Sequence, residues 1–419
     1  MTDAADIFSL GFATLLISVM IAKGWLSHRQ IRHVAQHRAQ VPAAFASAID
    51  LPTHQKAADY TVAKARLDVV ETVFHSAVLL GWTLLGGLDA LNQWVQAWVP
   101  GTLSPQLALL VAFGGVGALL DTPFSWYRTF VLEQRFGFNR STTAQWLLDG
   151  LKGSAVALAL GVPLAALVLW VMGSTGTHWW LWAWGVYMGF SVLMLWAFPA
   201  FIAPFFNKFE PLKDAALQER VSALMLRCGF QPSGFFVMDG SRRSAHANAY
   251  FTGLGKSKRV VFYDTLLAQL SPEELEAVLA HELGHCHHQH LNKRLVTVAL
   301  VTLAAFAALG ALSSQTWFYV GLGLQPNPFA ANDALALLLF MLATPLVTFF
   351  FGPLMAASSR RDEFEADRFA AHQAQASDLA AALLKLYQGN ASTLTPDPVY
   401  VAFYHSHPPA SQRLARLNA

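Results

Sequence analysis

Residues 271–285 read SPEELEAVLAHELGH, and the last five of them form a candidate metal-binding motif. On an α-helix, residues four apart lie on the same face, so His281 and His285 can bind one Zn²⁺ through their imidazoles. Glu282, one position along, is placed to take a proton from an attacking water. The motif therefore predicts a zinc site that activates water, provided that these residues are helical.

The residues before the motif predict that helix. Ser271 fits the N-cap, Pro272 fits the first helical position, and Glu274 completes a capping box with Ser271. Apolar residues then recur at helical spacing: Leu275, Val278 and Leu279.

The composition of the 419-residue chain is that of an integral membrane protein. Hydrophobic residues make up 54% of it, charged residues make up only 13%, and the mean hydropathy is positive. These values are wrong for a soluble globule of this size. The net charge of +2 is small and the Lys and Arg residues are dispersed, so no nucleic-acid partner is expected.

Seven stretches are long and apolar enough to cross about 30 Å of hydrocarbon. They lie near residues 7–25, 69–90, 104–121, 154–173, 179–200, 295–313 and 334–356. Alternate connections, near 91–103, 174–178 and 314–333, contain no Lys or Arg, whereas the other connections contain many. Because basic residues mark the cytoplasmic side, this pattern predicts seven spans with the N-terminus outside and the C-terminus in the cytoplasm.

The only long polar stretch, residues 207–294, lies between the fifth and sixth spans. Helical periodicity over 213–228 predicts an amphipathic helix with four residues on its apolar face: Leu217, Val221, Leu224 and Met225. β-rich runs separated by turn residues predict a small sheet, from 234–238, 249–254 and 259–263. The chain then divides into spans one to five (1–206), a cytoplasmic α+β segment (207–294), spans six and seven (295–357) and a C-terminal segment (358–419).

A catalytic zinc needs a third protein ligand and an open position. The metzincin arrangement has a histidine six residues after the second ligand, but that position is Leu291 here. The other common source is a glutamate on a later helix, and SRRDEFEAD at 359–367 offers Glu363. Asp367, four residues further on, faces the same way and can orient a ligand. Glu365 is about 200° round that helix from Glu363 and points elsewhere.

Other polar residues have less defined roles. We expect His288 to have a polar role near the ligand face, Cys286 to be a small buried thiol, and the remaining two histidines of this stretch, His287 and His290, to be solvated or packed. Three ionisable residues of the second span and its approach either face an internal pathway or lie at the membrane interface: Asp68, Glu71 and His75.

Several further stretches are similar to signatures of one protein family. They are PFSWYRTFVLE (123–133) with GFN (137–139), IAPFFNKF (202–209), SAHANAYF (244–251), SRRDEFEAD (359–367) and HSHPP (405–409) followed by Arg413. On these motifs, in this order and with seven spans, the chain resembles the type I CAAX prenyl protease family of integral-membrane zinc metallopeptidases. It departs from the family at Asp362, inside the ligand motif, and in the lack of an ER-retrieval tail.

The resemblance implies an α-helical membrane fold and a role for each matched residue. The implied fold is a ring of seven transmembrane helices around an internal water-filled chamber, with the small α+β metalloprotease portion on the cytoplasmic side. One zinc ion per chain would have three ligands: His281, His285 and Glu363. The implied residues around it are the general base and acid Glu282, the ligand-orienting Asp367, the substrate-backbone residues Asn248, Ala249 and Tyr250, and His407 and Arg413 near the scissile carbonyl.

These observations predict a membrane-embedded zinc metalloendopeptidase, which in this family removes C-terminal tripeptides from prenylated peptides. Two alternatives stay open: an HtpX-like protease of membrane protein quality control, which has fewer spans, and a transporter or channel with a regulatory metal site. The expected partners are the lipid bilayer and a peptide or protein substrate, prenylated or not, and the oligomeric state is open. The absence of a retrieval signal favours a bacterial plasma membrane over the ER membrane of a eukaryote.

Overall fold

The computed structural model describes residues 2–253, 257–328 and 331–417 and is mostly helical. The helices of the first half are α1 (Thr2–Gln36), α2 (Leu51–Trp82), α3 (Gly87–Trp98), α4 (Ser104–Tyr127), α5 (Gln134–Phe136), α6 (Thr143–Ser174), α7 (Trp179–Ala197) and α8 (Ala203–Phe206). The later helices are α9 (Ala215–Arg227), α10 (Asp264–Leu267), α11 (Pro272–His287), α12 (His290–Leu312), α13 (Thr316–Val320), α14 (Asp333–Thr348), α15 (Gly352–Gln373), α16 (Ala376–Gly389), α17 (Pro398–Tyr404) and α18 (Ala410–Leu417).

Six helical stretches within the described residues are each long and apolar enough to cross a membrane: Asp3–Gln36, Ser104–Phe136, Thr143–Ser174, Gly176–Phe206, His290–Leu312 and Asp333–Gln373. The bent pair of α2 and α3 is the seventh, so every predicted span has a counterpart. The last stretch is 41 residues long. It therefore continues past the membrane portion of α14 into α15, which carries Glu363 and Asp367.

The apolar stretch 69–90 indicated one continuous span. In the structure the second span is instead broken into two helices. α2 ends at Trp82, and α3 begins at Gly87 at an angle of 53° to it. Gly86 has φ +76°, a conformation that glycine adopts without steric cost. A side chain at Gly87 would place its Cβ 2.6 Å from the Gly81 carbonyl oxygen. These glycines turn the chain at a point where hydropathy alone indicates continuity.

The polar stretch folds into a small sheet beside the helices. In the described residues its strand order is β1–β2–β4–β3, with β1 (Phe209–Pro211), β2 (Gln231–Met238), β3 (Ala249–Thr252) and β4 (Ser257–Tyr263). β2 and β4 are parallel, and the other two pairs are antiparallel. The three predicted strands are confirmed as β2, β3 and β4, although Leu254 lies outside the described residues. β1 has only three residues and was not predicted.

A hydrophobic core of its own supports the metal-motif helix α11. The predicted apolar face of α9 is confirmed by four buried residues: Leu217, Val221, Leu224 and Met225. They belong to one cluster with Leu275, Leu279 and Leu283 of α11 and with residues of β3 and β4. Each fully buried side chain of this size stabilises the fold by roughly 1.5–3 kcal/mol. α11 is thus held firmly on its apolar side and presents its other side to α15.

Candidate metal centre

The helix that carries the motif begins as predicted. The Ser271 backbone N–H donates to Glu274 Oε2 at 2.8 Å, and the Glu274 N–H donates to Ser271 Oγ at 3.3 Å, which completes the capping box. Lys385 Nζ donates to the same Glu274 oxygen at 2.7 Å and ties α11 to α16. His281 and His285 consequently project from one face of a well-anchored helix.

α11 and α15 approach each other closely at Gly284. A Cβ at this position would lie 2.9 Å from Ala366 Cα and 3.1 Å from the Ala366 carbonyl oxygen. Ala366 lies on α15 between Glu363 and Asp367. The glycine inside the motif therefore lets the two helices meet at the point where their polar side chains converge.

Three side chains converge between these helices. His285 Nε2 lies 3.3 Å from His281 Nε2 and 3.3 Å from Glu363 Oε1, and His281 Nε2 lies 3.5 Å from Glu363 Oε2. One potential ligand atom from each residue lies within 4.8 Å of the other two. His281 and Glu363 are buried, whereas His285 is half-buried, which leaves one side of the group accessible.

The atoms that face this space fit a divalent cation. Glu363 Oε2 is buried and has no hydrogen-bond partner in the described part of the chain, a costly state for a carboxylate. Asp367 Oδ1 lies 2.8 Å from His281 Nδ1. If the Nδ1–H donates there, the lone pair of the neutral imidazole is left on Nε2. A cation would satisfy these groups together, and two histidines with one glutamate are a common zinc ligand set.

Asp367 is shared between His281 and the buried Arg413. The Arg413 guanidinium donates from Nε to Asp367 Oδ2 at 2.8 Å and from Nη2 to Oδ1 at 2.5 Å. Burial lowers the pKa of His281, but the neighbouring carboxylates of Asp367 and Glu363 outweigh burial and raise the pKa to about 9. In the metal-free protein His281 therefore holds a proton at neutral pH, which a metal ion must displace.

Glu282 lies between the two histidines on α11 and is half-buried. Its carboxylate makes no hydrogen bond or salt bridge with any residue that the structure describes. The structure therefore leaves this carboxylate free to exchange a proton with water or with a substrate.

His407 and Arg413 reach the same group of side chains from the C-terminal segment. His407 Nε2 lies 3.3 Å from Glu363 Oε1, and Arg413 Nη1 lies 3.7 Å from Glu363 Oε2. Arg360 of α15 donates to the carbonyl oxygens of Val401 at 3.0 Å and His405 at 2.8 Å. These bonds hold the HSHPP stretch, which contains His407, against α15. His407 and Arg413 therefore both lie beside Glu363, as predicted.

The predicted substrate-binding residues lie at a sheet edge near α11. Ala249 and Tyr250 belong to β3, which in the described residues pairs with β4 on one side and is the last strand of the sheet. Asn248 precedes the strand and is exposed, and its Oδ1 accepts the Ala249 N–H at 2.8 Å. β3 also contacts α11, so an added strand at this edge would run close to the motif helix.

His290, which we expected to be solvated or packed, is packed beside the centre, but its contact with a candidate ligand was not predicted. It is buried, and it contacts both His285 and Glu365. Glu365 contacts His290 of α12 and not the three candidate ligands. Its predicted position, on the side of α15 away from Glu363, was the one hint in the sequence that it contacts a residue of another helix. The side chains near His290 in the sequence are more exposed than His290 itself: Cys286 and His288 are half-buried, and His287 is exposed. Cys286 is thus less buried than we expected.

Arg243, which the sequence did not single out, anchors the start of the SAHANAYF stretch. Its guanidinium donates to both oxygens of Asp149 at 2.8 and 3.0 Å and to Asn207 Oδ1 at 2.7 Å. Asp149 is on α6 and Asn207 follows the fifth span. Arg243 therefore ties the stretch that leads into β3, the edge predicted to bind substrate, to the membrane helices.

One cavity lies beside the centre, and a second cavity adjoins the first. The first, of about 340 Å³, is lined by His407 and by other polar residues that include Lys64 and Asn390. The second, of about 620 Å³, lies between the spans and is more apolar, with Trp82 and Phe113 in its wall. The two share Asp68, Tyr400 and Tyr404, and the second also contains Glu71 and His75. Of the two placements left open for these ionisable residues, the structure favours the internal one.

Both halves of the chain match known protein families. Residues 30–208 match the family described as CAAX prenyl protease N-terminal, five membrane helices, and residues 211–419 match peptidase family M48. The match thus covers the membrane helices and the candidate metal centre together. It argues against a transporter or channel.

Proteins named as CAAX prenyl proteases or their homologs are similar to most of the chain. CAAX prenyl protease 1 of Saccharomyces cerevisiae is 32% identical, over 94% of this chain and 92% of that protein. The CAAX prenyl protease 1 homolog of Oryza sativa subsp. japonica is 36% identical, over 71% and 70%. The crystal structure of S. mikatae Ste24p superposes with a TM-score of 0.90 at 30% identity, over 98% of both chains. The chain therefore belongs to peptidase family M48, in its CAAX prenyl protease branch of membrane-embedded zinc metalloproteases.

Proposed function

We propose that this protein removes C-terminal tripeptides from prenylated peptides or proteins, with one zinc ion per chain held by His281, His285 and Glu363. The observation that carries the proposal is the convergence of these three side chains beside Glu282. The similar proteins from yeast and rice are CAAX prenyl proteases by name. The same substrate class is proposed here.

Each residue around the centre has a task in peptide hydrolysis. When bound, the zinc ion would supply Lewis acidity toward water and the scissile carbonyl. Glu282, whose carboxylate makes no hydrogen bond or salt bridge within the described residues, accepts the proton of the attacking water and returns it to the leaving amine. Asp367, clamped by Arg413, holds His281 in the orientation that binds metal.

The negative charge that develops on the carbonyl oxygen needs hydrogen-bond donors. His407 Nε2 and Arg413 Nη1 point toward Glu363 from the C-terminal segment and supply such donors. The substrate backbone adds as a strand at the edge formed by Asn248, Ala249 and Tyr250, a mode that binds many sequences because it uses main-chain groups.

The adjoining cavities suit a peptide that carries a lipid. The polar cavity beside His407 accommodates peptide groups, with Lys64 and Asn390 in its wall. The cavity between the spans, with Trp82 and Phe113, accommodates an apolar chain. A substrate with both parts would fill both cavities, which a soluble, unmodified peptide would not.

We also propose that the centre faces the cytoplasm, because the connections on its side of the membrane contain nearly all of the Lys and Arg. Segments 207–294 and 358–419 then contribute the cytoplasmic site, and 1–206 and 295–357 contribute the spans. A fluorescent protein that matures only in the bacterial cytoplasm, fused after residue 419, should fluoresce. A dark but stable fusion would contradict this orientation.

The substrate proposal is tested with detergent-purified protein and one C-terminal peptide in prenylated and unprenylated form. We expect cleavage of the prenylated peptide, its loss with a zinc chelator and its return with added zinc. Glu282→Gln should keep its zinc but lose about 10²–10⁴-fold in turnover. Glu363→Ala should lose both zinc and turnover, because it removes a ligand.

Three outcomes would count against parts of the proposal. Full zinc content in Glu363→Ala would remove Glu363 from the ligand set. Equal cleavage of both peptides would favour a broader protease of the HtpX-like kind. Chelator-insensitive cleavage, or none of either peptide, would contradict zinc-dependent CAAX processing.

A further inference from the structure

His290 is a buried histidine that the proposed reaction does not use. Its exposed fraction is 6%. Its Nδ1 lies 2.9 Å from Nδ1 of His285, and its Nε2 lies 3.1 Å from Oε2 of Glu365. Two consecutive contacts therefore join an outer carboxylate to the imidazole of a candidate zinc ligand.

We propose that Glu365 and His290 together hold His285 in the tautomer whose Nε2 is free to bind metal. A carboxylate offers only acceptor atoms, so the N–H in its contact with His290 is carried by His290 Nε2. With its N–H on Nε2, His290 accepts at Nδ1, and the N–H between the two histidines is carried by His285 Nδ1. The lone pair of His285 is left on Nε2, the atom that lies 3.3 Å from His281 Nε2 in the candidate centre.

The other candidate ligand histidine, His281, is also oriented through its Nδ1, but without an intervening histidine. Its Nδ1 lies 2.8 Å from Asp367 Oδ1, so a carboxylate orients it directly. Glu365 lies on the side of α15 away from Glu363 and faces the first residue of α12, which is His290. An imidazole therefore bridges the distance to His285, and both ligand histidines have their outer nitrogen engaged.

The same cluster has the composition of a second metal site, with ligand atoms of His290, Asp362 and Glu365 within 4.8 Å of one another. However, the Asp362 and Glu365 side chains are partly exposed, unlike Glu363, and exposed acidic groups often lie together without a metal ion. The cluster is assigned here to orientation of His285, so the purified protein should bind one equivalent of zinc.

The proposal rests on the metal centre of the proposed function, and its test measures zinc affinity rather than turnover. In the purified full-length protein, His290→Leu should weaken zinc binding about 10–100-fold, measured by competition with a chelator. His290→Asn should recover part of that loss, because its Oδ1 can accept the His285 Nδ1–H. His287→Leu removes an exposed imidazole from α11 and should bind zinc like the original protein.

Unchanged affinity in His290→Leu would overturn the proposal. So would a His290→Asn variant as weak as His290→Leu, because the loss would then come from packing. If His290→Leu does not fold, Glu365→Ala tests the same link at a side chain that is 42% exposed. We expect a loss of about tenfold there, and unchanged affinity would again overturn the link. A His281→Ala variant that keeps full zinc affinity would instead contradict the metal centre itself.

Discussion

At the scale of single residues, His281 is where proton binding and metal binding compete. Its contacts with Asp367 and Glu363 outweigh burial and raise its pKa to about 9 in the metal-free protein. Below that pH the metal must displace this proton, so His281 alone should make the apparent zinc affinity rise about tenfold per pH unit from pH 7 to 9 and level off above. Competition with a chelator of known affinity at each pH checks the slope.

Asp367→Asn provides the control for this slope. It removes one of the carboxylates that stabilise the protonated imidazole, so the pKa of His281 should fall and the slope between pH 7 and 9 should flatten. If the original protein and the variant show the same slope, the displaced proton does not belong to His281.

At the scale of elements, the contact between α11 and α15 depends on Gly284. In Gly284→Ala the new Cβ would lie 2.9 Å from Ala366 Cα, so one helix must shift and separate the two histidines from Glu363. Displacements of about 1 Å can cost 10²-fold in rate, and we expect a loss of about this size together with weaker zinc binding. Peptide cleavage and zinc content of the purified variant measure both.

Gly153→Ala is the matched control for that substitution. Gly153 lies in α6, and a Cβ there would meet no other atom within 4 Å in the described structure. Activity and zinc content should therefore stay unchanged. If Gly284→Ala behaves like Gly153→Ala, close helix approach does not determine the geometry of the centre.

Elements with local signals were predictable from the sequence, and elements without them were not. The capping residues Ser271 and Glu274 predicted the start of α11, because a capping box is a local pattern. The break at Gly86 was missed because hydropathy counts Gly86 and Gly87 within an apolar run, although a pair of glycines is itself a turn signal. β1 was missed for a related reason: three residues are too few to show alternation.

At the scale of the whole molecule, Asp397 joins the C-terminal segment to the first span. Arg29 of α1 donates to both Asp397 oxygens, at 3.2 and 2.9 Å, and Asp397 also caps α17 by accepting from Val399 and Tyr400. Asp397→Ala removes the cap and the ion pair together, and should reduce the free energy of unfolding by about 2 kcal/mol. Thermal unfolding in detergent would show this as a lower midpoint.

Two variants separate the contributions to this effect. Asp397→Asn keeps a capping oxygen but loses the charge, so its midpoint should lie between those of Asp397→Ala and the original protein. Asp59→Ala breaks the pair between Asp59 and Arg38, two side chains that are 46% and 43% exposed, and should lower the midpoint less than Asp397→Ala does, because solvent screens an exposed pair. Equal effects of Asp59→Ala and Asp397→Ala would show that burial at Asp397 does not matter.

The candidate centre was largely predictable because most of its residues recur at helical spacing. His281 with His285, and Glu363 with Asp367, are each four residues apart, and that spacing alone indicates a shared face. The bonds of Arg413 to Asp367 and of Arg243 to Asp149 join residues far apart in the chain. Such pairings depend on how the helices assemble, and no local pattern reports them.

The order of these residues along the chain has a consequence for biogenesis. His281 and His285 precede the last two spans, whereas Glu363 and Arg413 follow them. With the proposed ligand set, a ribosome-bound intermediate that has inserted only five spans carries two imidazoles and lacks the carboxylate that would complete the zinc site. We therefore expect zinc-dependent cleavage only from chains whose synthesis has passed the final membrane helix.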